Sequence, residues 1–85
     1  MRHARDCDLD LIEPLLIELR RRAGMTERKR GVFYRGSKAF LHFHEDAGAI
    51  YADVRTGDEF ERIAIASEAG HSTLLGAIDT ALSRR

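Results

Sequence analysis

"RGSKAFLHFHEDAGAIYADVR", residues 35 to 55, decides the fold, because apolar and polar side chains alternate along it and only short turn signals interrupt the alternation. Outward from this stretch, Gly36-Ser37, residues 45 to 48 and Gly57-Asp58 are turns that separate four consecutive antiparallel strands, at 31–35, 38–44, 49–55 and 59–65. Before the strands the period is helical: Ile12, Leu15, Leu16, Leu19 and Ala23 line one face between Asp10 and Ala23. Asp10 and Glu13 have capping-box spacing, Pro14 moves the regular start toward Glu13, and Gly24 suits a left-handed stop. Arg20, Arg21 and Arg22 fall in the last turn, where cations complement the carbonyl end of a helix; a phosphate clamp is the competing reading. Residues 25–31, "MTERKRG", read as a loop. Ser67 opens a last helix with the stripe Leu74, Leu75, Ile78, Ala81 and Leu82, weakened by Gly70 and Gly76. The expected fold is therefore α+β, a four-stranded antiparallel meander flanked by an N-terminal and a C-terminal helix (α-β-β-β-β-α), in one domain over 1–85 with residues 1–8 mobile.

Register decides which side chains share a face, since a strand alternates with period two. A two-residue Gly36-Ser37 turn pairs Phe33 with Phe40 and Val32 with Leu41. A four-residue loop over 45–48 pairs His44 with Ala49 and His42 with Tyr51, and a Gly57-Asp58 turn of type II′ pairs Arg55 with Phe60 and Asp53 with Arg62. One face then collects Val32, Tyr34, Ala39, Leu41, Phe43, Ile50, Ala52, Val54, Ile63 and Ile65, ready to receive the helices. The other carries Phe33, Phe40, His42, His44, Tyr51, Asp53, Phe60 and Arg62, with Arg35, Lys38 and Arg55. A bulge near Phe40 would exchange the two sides midway.

Three uses compete for the second face. Phe33, Phe40, Tyr51 and Phe60 make an aromatic patch of the kind that marks an interface, here with a second copy in a homodimer. His42 and His44, two apart on one strand, point the same way and can share a divalent metal, with Asp53 as a diagonal third donor and Asp46, Glu45 or His71 as additions. Two imidazoles and a carboxylate suit zinc, iron(II) or manganese, and an ion with open positions is the one route to hydrolysis this chain offers. Exposed rings beside Arg35, Lys38 and Arg55 would also stack single-stranded nucleic acid. Against that, the net charge is zero, although eight basic groups in residues 20–38 face Glu27 alone and Arg55 faces six acidic groups in residues 39–61. Ser37, Ser67, Ser72 and Ser83 have no nucleophile-elbow context, and Asp53 with Arg62 reads as a cross-strand ion pair.

Composition narrows the class. A chain of 85 residues and 9.6 kDa buries roughly 63% of its unfolded surface, enough for one core. The single Cys7 forms no internal disulfide, which fits a reducing, cytoplasmic setting, and no apolar run approaches membrane-span length.

On residues 35–55, with His42, His44, Asp46 and Asp53, the chain resembles a group of small bacterial domains of unknown function, some of which carry the label "luciferase family". These share a leading amphipathic helix, a strand entering a His-x-His-x-Asp segment, an Asp in the next strand and a closing helix; Glu45 stands where Gly is usual. More distantly, the meander between helices is similar to MmcQ/YjbR double-wing domains, whose further strands and Trp-rich closing segment this chain lacks, so DNA binding is not carried over. The resemblance implies the fold and supplies no catalytic residues. Together these readings point to a cytoplasmic binding or interaction module rather than an enzyme, with the His42/His44/Asp53 metal site as the alternative.

Overall fold

The computed structural model describes residues 2–83. β1 (Arg2–His3), α1 (Asp6–Asp10) and α2 (Glu13–Arg20) are followed by β2 (Thr26–Lys29), β3 (Val32–Arg35), β4 (Lys38–Asp46), β5 (Ala49–Arg55), β6 (Phe60–Ala64) and α3 (Glu68–Leu82). The six strands form one antiparallel sheet ordered β2-β3-β4-β5-β6, with β1 also paired to β4. This is the expected mixed helix and antiparallel-sheet class, with two strands beyond the expected four and a shorter, broken first helix. Pro14 explains the break: α2 begins at Glu13 with Ile12 as its cap and no side-chain cap bond, so the Asp10–Glu13 capping box does not form. The segment expected to be mobile is placed from residue 2 onward, as β1 and α1; Met1 lies outside the described residues.

The helices cover one face of the sheet. Leu9, Ile12, Leu15, Leu16 and Leu19 from α1–α2 and Leu74, Ile78 and Ala81 from α3 join Leu41, Phe43, Ile50, Ala52, Val54, Ile63 and Ile65 in one core cluster. Each fully enclosed large side chain there contributes about 1.5–3 kcal/mol from leaving water. The arginine triplet is neutralised locally: Arg20 binds Glu13 and Glu27, Arg21 binds Glu18 and Arg22 binds Asp79, which disfavours the phosphate-clamp reading.

The β3–β4 hairpin departs from the expected register. Arg35 faces Lys38 and Tyr34 faces Ala39, but the next pair is Phe33 with Leu41, so β4 carries an extra residue at this point. The bulge inverts the phase of β3 and turns both Phe40 and Leu41 inward. Phe33 and Phe40, expected on the open face, are 1% and 2% exposed and belong to the core, while Arg35 reaches α3 and donates to the Ala81 carbonyl.

From Leu41 onward the expected phase holds. Ala47 and Gly48, with φ of +51° and +84°, make a two-residue turn of the type I′ kind, so Asp46 faces Ala49, His44 faces Tyr51 and His42 faces Asp53. The pairing is displaced by two residues from the four-residue loop expected. A shift of two keeps every side chain on its face; a shift of one would have exchanged them all. In the third hairpin Arg55 faces Phe60 and Asp53 faces Arg62 as expected, but Gly57 has no left-handed φ and the type II′ turn is absent.

Of the two glycines in α3, one is demanded by packing. A Cβ on Gly70 would collide with the Ala64 carbonyl oxygen and lie 2.9 Å from Ile65 Cα, because the first turn of α3 rests on the end of β6. Gly76 has open space around it. Gly70→Ala is therefore expected to cost about 1–3 kcal/mol or more, while Gly76→Ala gains up to about 1 kcal/mol, readable as opposite shifts in urea midpoint.

The described chain exposes 5262 Å², close to the roughly 5,100 Å² typical of a monomer of this mass. Among the described residues no helix is long and apolar enough to cross a membrane.

Candidate metal centre

The uncovered face of the sheet is organised by the length of β4. Its nine residues outrun β3, which pairs only with residues 38 to 41, and the remaining edge is taken by β1. There Arg2 faces Glu45 and His3 faces His44; the Ala4 N–H donates to the Phe43 carbonyl at 3.0 Å, and Arg2 Nε meets Glu45 Oε1 at 2.7 Å. The Arg5 N–H then donates to the Asp8 carboxylate at 2.9 Å and turns the chain into α1. A third imidazole is thereby delivered beside the two on β4.

His3, His42 and His44 each offer a ring nitrogen, and these atoms lie within 4.8 Å of one another. The ring centroids are 4.6 Å apart for His3–His44, 4.8 Å for His42–His44 and 5.9 Å for His3–His42. Phe60 closes one side, edge-on to His42 at 4.9 Å. A tetrahedral ion with nitrogen ligands at 2.0–2.1 Å holds them about 3.3 Å apart, so coordination requires the rings to close by about 1.5 Å. His3, exposed and on a two-residue strand, has the freedom to make that movement.

Asp53 stands beside this group. Directly opposite His42, and not diagonal to it as expected, Asp53 is buried and gripped by Arg62 through Nε–Oδ1 and Nη2–Oδ2 contacts of 2.8 Å each. Its Oδ2 also lies 3.0 Å from His44 Nδ1. That approach is short but off the line of a ring N–H, so it is an electrostatic contact. The Nδ1 atoms of both His42 and His44 are enclosed without a hydrogen-bond partner. Of the other expected additions, Asp46 shares the face two residues beyond His44, where its charge acts on Arg62, and Glu45 is occupied by Arg2 and the Gly48 N–H. His71 is elsewhere, on α3, with Nε2 3.1 Å from the Ile65 carbonyl. His3 was not found from sequence: a two-residue strand has no period, and only its histidine would have marked it.

Burial holds the His42 pKa below the ordinary histidine value, with His44 and then His3 and Arg62 adding to the effect and Asp53 opposing it. The Arg62 hydrogen bonds hold the Asp53 carboxyl below the usual range against its own burial. His42 is therefore neutral at pH 7 with a lone pair to give, and Asp53 is ionised. Both shifts make the unfolded chain the better proton acceptor. Stability is then fullest above about pH 6.5, falls as acid protonates unfolded His42 preferentially, and falls again below about pH 3.9 as Asp53 titrates. Melting temperature should drop between pH 7.5 and 5, and His42→Gln should flatten that part of the profile.

The interface expected from Phe33, Phe40, Tyr51 and Phe60 is reduced to Tyr51, half-buried, and Phe60, 38% exposed. The stacking platform for nucleic acid loses the same two rings. The chain matches no family model, no curated protein and no solved structure, so what the site does rests on its own geometry.

Proposed function

We propose that this protein is a binding module for a divalent transition-metal ion, held by His3, His42 and His44. The observation that carries the reading is the convergence of three ring nitrogens within 4.8 Å, beside which the enclosed His42 Nδ1 lacks a hydrogen-bond partner. An enclosed polar atom without a partner costs about 1–3 kcal/mol, a penalty that metal binding or the ring rearrangement accompanying it relieves. Asp53 beside His44 resembles the carboxylate that orients a metal-bound imidazole through its second nitrogen, and Arg62 fixes that carboxylate in turn. This revises the expected His42/His44/Asp53 set: Asp53 moves outward and His3 takes its place.

Three imidazoles without thiolate suit zinc, with copper(II) and nickel(II) as competitors that prefer flatter arrangements. Three neutral ligands leave the ion's charge uncompensated and one position open to water or an anion. Calorimetric titration of chelator-treated, untagged protein with zinc should give one site per chain, with affinity falling as the pH is lowered because protons compete with the ion for ligand nitrogens. Heat only from weak, multiple sites would contradict the reading.

A further inference from the structure

We infer that the metal ion is also the clasp of an N-terminal strap: zinc held by His3, His42 and His44 fastens β1 to the edge of β4, and in the metal-free chain β1 opens and closes on that edge while the rest of the fold stays shut. This rests on the three-imidazole reading and adds a conformational consequence to it. The consequence follows from where the ligands come from, two elements with very different hold on the molecule.

His42 and His44 belong to the interior of the sheet. On its far side β4 is paired with β5 through six residue pairs, from Leu41–Val54 to Asp46–Ala49. His3 belongs to a strand of two exposed residues that pairs with β4 alone. Its attachments are the Arg2–Glu45 and His3–His44 pairs, the Ala4 N–H bond to the Phe43 carbonyl at 3.0 Å, and an ion pair whose Arg2 side chain is exposed. Such an ion pair adds little. No strand supports β1 from its other flank, because a cleft of about 250 Å³, with Ala4 and Gly31 in its lining, separates it from the β2–β3 turn.

The hinge of the strap is short and well defined. From Asp6 onward the chain is fixed: Leu9 is buried in the core, and Arg30 reaches the Asp6 and Asp10 carboxylates at 3.2 and 2.8 Å. Only Ala4, packed partly against the core, and Arg5, in extended backbone, lie between this anchor and His3. A terminal edge strand with few buried contacts opens at a much lower free energy than the sheet it rests on. An ion that needs all three imidazoles binds only the form with β1 down, so it stabilises that form by mass action. His3 is thus ligand and fastening at once, and its release uncovers the β4 edge from Phe43 to Glu45.

Amide hydrogen exchange followed by NMR on the full chain, metal-free and zinc-loaded, reads the strap directly. In metal-free protein the Ala4 N–H should exchange far faster than amides of the β4–β5 ladder. Zinc at about 100 times its dissociation constant should slow it by about 10-fold or more. The His71 N–H, bonded to the Ser67 carbonyl in the first turn of α3, should not respond. Arg2→Gln, which removes the ion pair and no ligand, should speed Ala4 exchange in the metal-free chain by about 2- to 5-fold. In His3→Ala, zinc at a level that saturates whatever site remains should leave the Ala4 rate unchanged. Metal-free Ala4 exchange as slow as that of the ladder, or zinc protection that survives His3→Ala, would overturn the strap and leave the zinc centre standing. Absence of zinc binding to the unaltered chain would overturn both.

Discussion

Replacing His3 by alanine should weaken zinc binding by about 100-fold or more and leave the fold intact. A structural zinc site of four ligands is worth about 10–16 kcal/mol, so one ligand accounts for about 2.5–4 kcal/mol, which is that factor in affinity. His3 lies outside the helix-covered core, and the two-residue strand that carries it is held by the Arg2–Glu45 and His3–His44 ladder pairs, by the Ala4 N–H bond to the Phe43 carbonyl and by the exposed Arg2–Glu45 ion pair. Its loss therefore removes a ligand without opening a cavity. His71→Ala should leave zinc affinity unchanged, because His71 is bonded to the Ile65 carbonyl, away from the cluster. Asp53→Asn should fall between the two, at about 10-fold, the size of effect seen when a supporting carboxylate is neutralised.

Phe40→Ala should destabilise the protein by about 3–5 kcal/mol, enough to leave a small domain largely unfolded. The size follows from the bulge. Phe40 is 2% exposed and packs in the same cluster as Leu41, its sequence neighbour, an arrangement impossible in a regularly pleated strand. If the β3–β4 register were regular, Phe40 would stand on the open face and its truncation would fall within about 0.5 kcal/mol of neutral. Urea denaturation of the variant separates these outcomes.

The strands from Lys38 to Ala64 were legible because each has a period, an apolar face and a turn at both ends. The histidine phase was legible for a less direct reason: the Ala47-Gly48 turn displaced the register by two, and even displacements preserve faces. The bulge at Phe40 was not legible, since "AFLHF" offers Phe40 and Leu41 as successive apolar residues and alternation must choose one of them. β2 was missed because Thr26–Lys29 is an edge strand with polar side chains on both faces, which guards an exposed edge against pairing but erases the pattern that marks a strand. His3 was missed because its position depends on β4 being longer than β3, a property of pairing and not of the local sequence. Asp53, expected as a ligand, lies opposite Arg62 and forms two 2.8 Å charge-assisted bonds with it, an engagement that the alternation of the strands alone does not reveal.

The protein has four histidines, which makes side-chain nitrogen NMR the most direct check on the centre. On adding one equivalent of zinc, the ring nitrogens of His3, His42 and His44 should shift together and in slow exchange, while those of His71 stay in place. A response from His42 and His44 without His3, or an equal response from His71, would contradict a three-imidazole centre on the open face of the sheet.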